Sequence, residues 1–381
     1  MKKLLLCLAL FLTSFSLLAQ EEKRDSIAVE NALLDIVASI EGGDYETAGA
    51  SLDSLLNVYP DNDAIHYYKG LCSYSAGDLK DAGNRFREAL ALDPSNNWYK
   101  ETIANLCLST GEVKEAEKLL RELQEVNPGK YPEISVATLL AGAYRMKRDF
   151  SSYFSVLRSL VHDNVADDDM KYDALISVMG GFDTRTFNSI RPQIDTLLRE
   201  YAEAEPKSMH AHGLLMETAY SMKDYERVMD ECRIMMELQP EDTANVVSCL
   251  AITGDVLHSM GRNRKAYKTY EKALKLDPQY CPVLNNYAYY LSLEKRRLAK
   301  AEKMSRVTVE LNPDNPTYLD TYGWILYLRG KAAEAKPYFK HAMLYGGKDS
   351  AVVLMHFALV LEKLGEKDLA TYYRNLSESK K

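Results

Sequence analysis

Residues 63–96 read DAIHYYKGLCSYSAGDLKDAGNRFREALALDPSN. Gly70 lies in a first helical run, Gly77 and Asp78 make a turn, Ala82 and Phe86 lie in a second run, and Asp93 and Pro94 close it. The next copy, 97–130, follows without a gap and puts Ala104, Gly111, Ala116, Leu120 and Pro128 at the same offsets. Upstream, 29–62 carries Ile36, Gly43, Ala48, Leu52 and Pro60. Downstream come 209–242 with Met216, Lys223, Val228 and Pro240, then 247–280 with Gly254, Gly261, Ala266, Tyr270, Ala273 and Pro278. Residues 281–315 fit with one residue added to the inner turn, giving Tyr287, Ala288, Ala301 and Pro313. Residues 316–350 supply Gly323, Gly330, Ala335, Phe339 and Ala342 and end in Gly346-Gly347, and a last unit from Ala351 keeps Ala358, Gly365 and Ala370. A period of about 34 residues makes the chain a helical solenoid.

The spacing is a packing pattern. Two amphipathic helices of about 12 to 14 residues cannot hide their apolar stripes alone, so each hairpin must stack on its neighbours. Small residues allow close approach where helices touch, and larger ones fill the paired positions. Gly77, Gly111, Gly261, Gly330 and Gly365 are expected to end first helices in the left-handed conformation. Asp44, Asp78 and Asp224 stand where a side-chain oxygen caps the second helix, and proline stops it.

These residues resemble tetratricopeptide (TPR) repeats over roughly 29–130 and 209–376. The resemblance implies an all-α, right-handed α-solenoid of about ten TPR-like helical hairpins. Residues 131–208 depart from the pattern: Leu139, Leu140, Ala141 and Tyr144 read as one helix and Phe154, Leu157 and Leu160 as its partner, but Tyr153 takes the alanine place. A second degenerate hairpin is expected from Met170 to Met179 and Thr186 to Ala204, broken by Gly180-Gly181. The Asp167-Asp168-Asp169 run suits a helix N-terminus. The expected organisation is a signal peptide at 1–20, hairpins at 21–130, degenerate hairpins at 131–208, and hairpins with a C-terminal cap at 209–381.

Residues 1–20 carry Lys2 and Lys3, an apolar run from Leu4 to Leu18, and Ala19. That is the layout of a secretory signal peptide, too short for a comfortable membrane span. Cys7 lies too early in the run to carry a lipid. The boundary Ala19-Gln20-Glu21 is similar to those of exported proteins of Gram-negative bacteria, so a periplasmic or secreted chain is expected, with no membrane span after cleavage. Removing 1–20 takes away two lysines and leaves 45 basic against 55 acidic residues, a net charge of −10. Nucleic acid and anionic membranes are disfavoured partners for such a surface.

Five cysteines remain beyond residue 20: Cys72, Cys107, Cys232, Cys249 and Cys281. They read as small buried residues, with one disulfide open among the last three. His210 and His212 are two apart on a helix and point away from each other, whereas helical metal pairs use i and i+4. His66 and His212 share a repeat phase, which argues for packing. There is no CxxC, HExxH, GxSxG or phosphate-cradling glycine loop. No metal, cofactor or catalytic residue is assigned, and no enzyme is expected.

The TPR resemblance implies that first helices line the concave side, with the second, fifth, ninth and twelfth places of each repeat facing a groove. Those places hold Tyr67 and Tyr74; Trp98, Glu101, Asn105 and Leu108; Tyr220; Asp255 and His258; Asn285 and Tyr289; and Thr317, Asp320, Trp324 and Tyr327. Rings interleaved with Asp and Asn suit an extended peptide, although tyrosines at these phases also pack between consecutive first helices. The lysine and asparagine of the TPR subfamily that grips a C-terminal carboxylate are not both present in any unit. The expected function is a non-enzymatic protein–protein interaction scaffold holding a protein or peptide along its groove. The alternatives are a glycan-binding TPR protein and a redox protein using Cys232, Cys249 or Cys281.

Overall fold

A computed structural model describes residues 27–380, so the expected signal peptide lies outside the described residues. Among them are twenty α-helices and no strand. In chain order they are α1 (27–41), α2 (Tyr45–Leu56), α3 (Asp63–Ser75), α4 (Leu79–Leu92), α5 (Asn97–Thr110), α6 (Val113–Val126), α7 (Glu133–Met146), α8 (Phe150–Val161), α9 (Asp168–Met179) and α10 (Thr184–Ala204). There follow α11 (Met209–Ser221), α12 (Tyr225–Leu238), α13 (Thr243–Ser259), α14 (Asn263–Leu276), α15 (Cys281–Leu293), α16 (Leu298–Leu311), α17 (Pro316–Leu328), α18 (Ala332–Leu344), α19 (Ala351–Lys363) and α20 (Lys367–Glu378). The chain divides into two compact units, one ending at Leu197 and one beginning at Leu198. The expected all-α repeat of hairpins is what folds.

In the first unit α3 packs on α4, α5 on α6 and α7 on α8 as hairpins, and each hairpin docks its second helix on the next first helix. In the second unit the hairpins are α11 with α12, α13 with α14, α15 with α16, α17 with α18, and α19 with α20. There the first helices also meet one another, α13 on α15, α15 on α17 and α17 on α19. The alanine places are all buried: Ala48, Ala82, Ala116, Ala266, Ala301, Ala335 and Ala370. One turn on along the same helices Phe86, Tyr270 and Phe339 are buried rings, and they face Gly70, Gly254 and Gly323 of the first helices. The period is thus written into the core as a small residue facing a large one, which fills the space between two helices without a void.

The turns inside the hairpins follow from sequence. Gly77 has φ +83°, a conformation that costs an L side chain about 1–2 kcal/mol and glycine nothing. At the same place Arg148 and Lys223 adopt φ 57° and 59°. Asp44, Asp78 and Asp224 then accept the backbone N–H three residues on, as does Asp149, so one cap recurs through both units. Asp167 likewise caps α9 by accepting from Met170.

The structure departs from the strict period in three places. Helix α13 begins at Thr243 rather than Val247 because Asp242 accepts the Asn245 N–H and caps an earlier turn. The extra inner-turn residue between α15 and α16 is absorbed by left-handed Lys295 and Arg297, φ 51° and 50°. In the 131–208 tract, Tyr153 at the alanine place is fully buried among Phe150, Phe154 and Phe182, and its hydroxyl donates to the Val178 carbonyl at 3.1 Å. Rings replace the alanine contact there. No helix of the described residues is long and apolar enough to cross a membrane.

Candidate functional site

The groove places fall into two groups, one in each unit. In the first unit Tyr67 is buried and stacks on Tyr99, ring centroids 5.0 Å apart. Its hydroxyl accepts from the indole Nε1 of Trp98, whose ring is otherwise exposed. Tyr67, Tyr74 and Asn105 line one hollow of about 250 Å³, with Phe86 as its floor. Glu101 lies aside, held by the Lys130 ammonium and the Tyr131 hydroxyl, each at 2.7 Å.

The second unit brings Asn285, Tyr289 and Asp320 to one larger hollow of about 610 Å³. Its walls are the first helices α15 and α17 and the start of α19, with Gly346, Gly347 and Asp349 at the rim. The volume lies within the range of ligand pockets, and most of the lining side chains are polar. Asp320 is 6% exposed and takes the His356 Nδ1 at 2.9 Å. His356 in turn stacks on Trp324, centroids 4.0 Å apart, and Trp324 stacks on Tyr327 at 5.2 Å. Trp324 and Tyr327 therefore support the acid from behind and do not line the hollow.

Asp255 joins through Asn286, whose Nδ2 donates to both carboxylate oxygens at 3.1 Å, and it also accepts from the Tyr270 hydroxyl. Burial pushes the Asp255 carboxyl above its ordinary range, while the bonds from Tyr270 and Asn286 pull it back. His258 stacks on Tyr290 at 3.5 Å, and burial lowers its imidazole. Tyr289 is half-buried and its phenol is raised by burial and then by the Asp320 charge. Tyr220 is exposed at the other end of this row.

Asn286, Tyr290, Thr321, Asp349 and His356 take part without being singled out in the sequence reading. Asn286, Thr321 and His356 occupy the sixth place of their repeats, for the first two beside the fifth place already assigned and for His356 in the last unit, where no groove place was assigned. Asn286 and Thr321 line the hollow, and His356 holds its acid. Counting the sixth place as well as the fifth would have found Asn286 and Thr321.

Elsewhere the histidines pack. His66 Nε2 meets the Pro60 carbonyl at 2.7 Å and His212 Nε2 meets that of Pro206 at 3.3 Å, the same bond at the same phase of two hairpins. Cys107, Glu112 and Glu115 lie close enough to suggest a metal set. The Arg87 guanidinium fills that position instead, donating to Glu115 at 2.6 Å and Glu112 at 2.7 Å. All five cysteines of the described residues are free thiols; Cys232 and Cys249 share a hydrogen bond, while Cys281 accepts from Asn312 at 3.2 Å.

Three family models described as tetratricopeptide repeat match the chain, over residues 38–97, 73–141 and 154–378, the last covering more than half of it. A TPR repeat-containing protein of Pseudomonas aeruginosa is 36% identical over 67 residues, 18% of this chain and 11% of that one, so the chain spans about a tenth of that relative's length. The solved TPR domain of P58(IPK) is 16% identical, with a TM-score of 0.31 over 89% of this chain and 98% of that chain. Yeast Tom70 is also 16% identical, with a TM-score of 0.40 over 92% of this chain and 76% of its own.

Proposed function

This chain belongs to the tetratricopeptide repeat family, and from that premise we propose that it is a non-enzymatic interaction scaffold that holds a protein or peptide segment along the first-helix side of its C-terminal unit. The observation that carries this reading is the convergence of Asn285, Tyr289 and Asp320, from two first helices, on one open hollow. Half-buried rings give contact area at low entropy cost, and the amide and acid pair with a backbone or side chain. The small hollow at Tyr67, Tyr74 and Asn105 is a second, separate contact point of the same kind. The basic and apolar layout of residues 1–20 supports action in the periplasm or outside the cell.

A glycan reading needs an aromatic face for the sugar ring. Trp324, the ring best suited to it, is stacked on Tyr327 and His356. That favours the polypeptide partner.

The test is a crosslinking pull-down of residues 21–381 from the cell envelope of the source organism, beside Tyr289→Ala checked for unchanged helicity. One protein captured by the first bait and lost with the second supports the reading. Equal capture by both moves the interface away from the hollow.

A further inference from the structure

The hydrogen bonds around the large hollow leave Asn285 and Asp320 with acceptors to spare, beside hydroxyls of Tyr289, Thr317, Thr321 and Ser350 that can donate or accept. An ionised carboxylate only accepts, so Asp255 turns the Asn286 Nδ2 toward itself. Asn286 must then present its Oδ1 to Asn285, whose Nδ2 donates to it at 3.2 Å. What remains to Asn285 is its carbonyl oxygen. Asn285 lines the hollow, is 4% exposed, and its Oδ1 meets no donor. A buried acceptor left unpaired costs about 1–3 kcal/mol. Asp320 stands one helix away; the His356 Nδ1 meets both of its oxygens, at 2.9 and 3.2 Å, and each oxygen keeps a further lone pair. Asp349 adds a second carboxylate at the rim, where Lys380 reaches it at 3.2 Å from outside. No lysine or arginine lines the hollow. Tyr290 is covered by His258, and Tyr289 is inclined 51° to Tyr290, a separate wall of the same hollow.

We propose that this hollow is the anchoring subsite of the scaffold and takes the guanidinium of an arginine carried on an extended segment of the partner polypeptide. This rests on the polypeptide-binding reading and gives it a chemistry. A guanidinium only donates, through five N–H groups in a fixed fork, and it stacks on phenol rings. It pairs with Asp320 and lies against Tyr289, and a rotation of the Asn285 side chain, whose Oδ1 has no exposed surface, brings that acceptor to it. Lysine supplies the charge without the fork and binds more weakly. The volume exceeds one side chain, so flanking residues of the segment enter as well. A carboxylate end is repelled by Asp320 and finds no lysine or arginine among the lining residues, the Lys380 ammonium at the rim being paired with Asp349.

A phage-displayed library of random dodecapeptides, panned on the chain of residues 21–381, tests this, with Asp320→Asn and Tyr289→Ala as parallel baits of verified helicity. Enriched peptides that share an arginine and are lost on both variants are the expected result. Replacing that arginine by citrulline, which keeps the shape and removes the charge, should weaken binding by about tenfold in fluorescence anisotropy. Enriched peptides without a basic residue that are lost on Tyr289→Ala overturn the guanidinium and leave the polypeptide-binding reading standing. Arginine peptides that bind all three baits equally overturn the placement in this hollow. Failure to enrich any peptide overturns both readings.

Discussion

A β-carbon built on Gly254 would lie 2.2 Å from the ring of Tyr270, so the glycine of α13 and the tyrosine of α14 occupy one space between them. The same pairing recurs at Gly70 with Phe86, 2.6 Å, and at Gly323 with Phe339, 2.7 Å. Gly254→Ala should therefore destabilise the C-terminal unit by about 2 kcal/mol through overpacking. Urea unfolding followed by Trp324 fluorescence in a Trp98→Phe background measures it. In a Tyr270→Leu background the same alanine should cost much less, because the two sites are in contact. An equal cost in both backgrounds would show that the ring does not set the need for glycine.

This pairing was legible in the sequence, because both residues recur at fixed places and the helical period says which face each occupies. The hollow was less so. Asn286 reaches Asp255 across 31 positions and His356 reaches Asp320 across 36, one repeat away in each case. Phase places a residue on a face, but the sideways packing of first helices decides which neighbour it meets. That packing buries Asn285 and Asp320 and leaves Tyr220 and Trp98 exposed, although all four hold groove phases. The early start of α13 escaped for a different reason: Asp242 caps a turn the period does not require.

Lys223 sits in the left-handed region where most hairpins use glycine. Lys223→Gly removes a conformational cost of about 1 kcal/mol or more and adds back the freedom of an unfolded glycine, for a net gain of about 0.5 kcal/mol. Gly77→Ala at the corresponding turn should lose about 1 kcal/mol. Thermal or urea unfolding reads both signs, and a destabilised Lys223→Gly would show a role for the lysine side chain itself.

His212 and Glu231 form a buried pair at 2.7 Å. The bond to Glu231 raises the imidazole above its ordinary 6.5 against the opposing effect of burial. A raised folded value means that the pair contributes fully below the unfolded value and is lost as pH rises through the folded one. Wild type should exceed His212→Gln in stability by about 1–2 kcal/mol at pH 6, and the gap should narrow toward pH 9. A gap that is constant or widens with pH would show that His212 acts by packing alone.

Burial pushes the Cys107 thiol up to about 12, and the Cys72 and Cys281 thiols are also raised by burial. Cys232 is raised by its bond to Cys249 and by burial, whereas the same bond lowers Cys249, whose 2% exposure shields it from the reagent. Thiolate is the reactive form, so the folded chain of residues 21–381 should react slowly with Ellman's reagent at pH 7, half-buried Cys281 first. Five thiols should appear after denaturation. A fast-reacting thiol in the folded chain would revive the redox reading, and a count of three would reveal a bridge between Cys232 and Cys249.

The most direct test of the scaffold reading is to place a photo-crosslinking phenylalanine derivative at exposed Thr317, on the first-helix side, or at exposed Lys303, on the second helix α16, and irradiate each chain with its cell envelope. The account predicts one crosslinked protein from position 317 and none of that mass from position 303. Crosslinking to the same protein from position 303 alone would contradict it and put the partner on the opposite face.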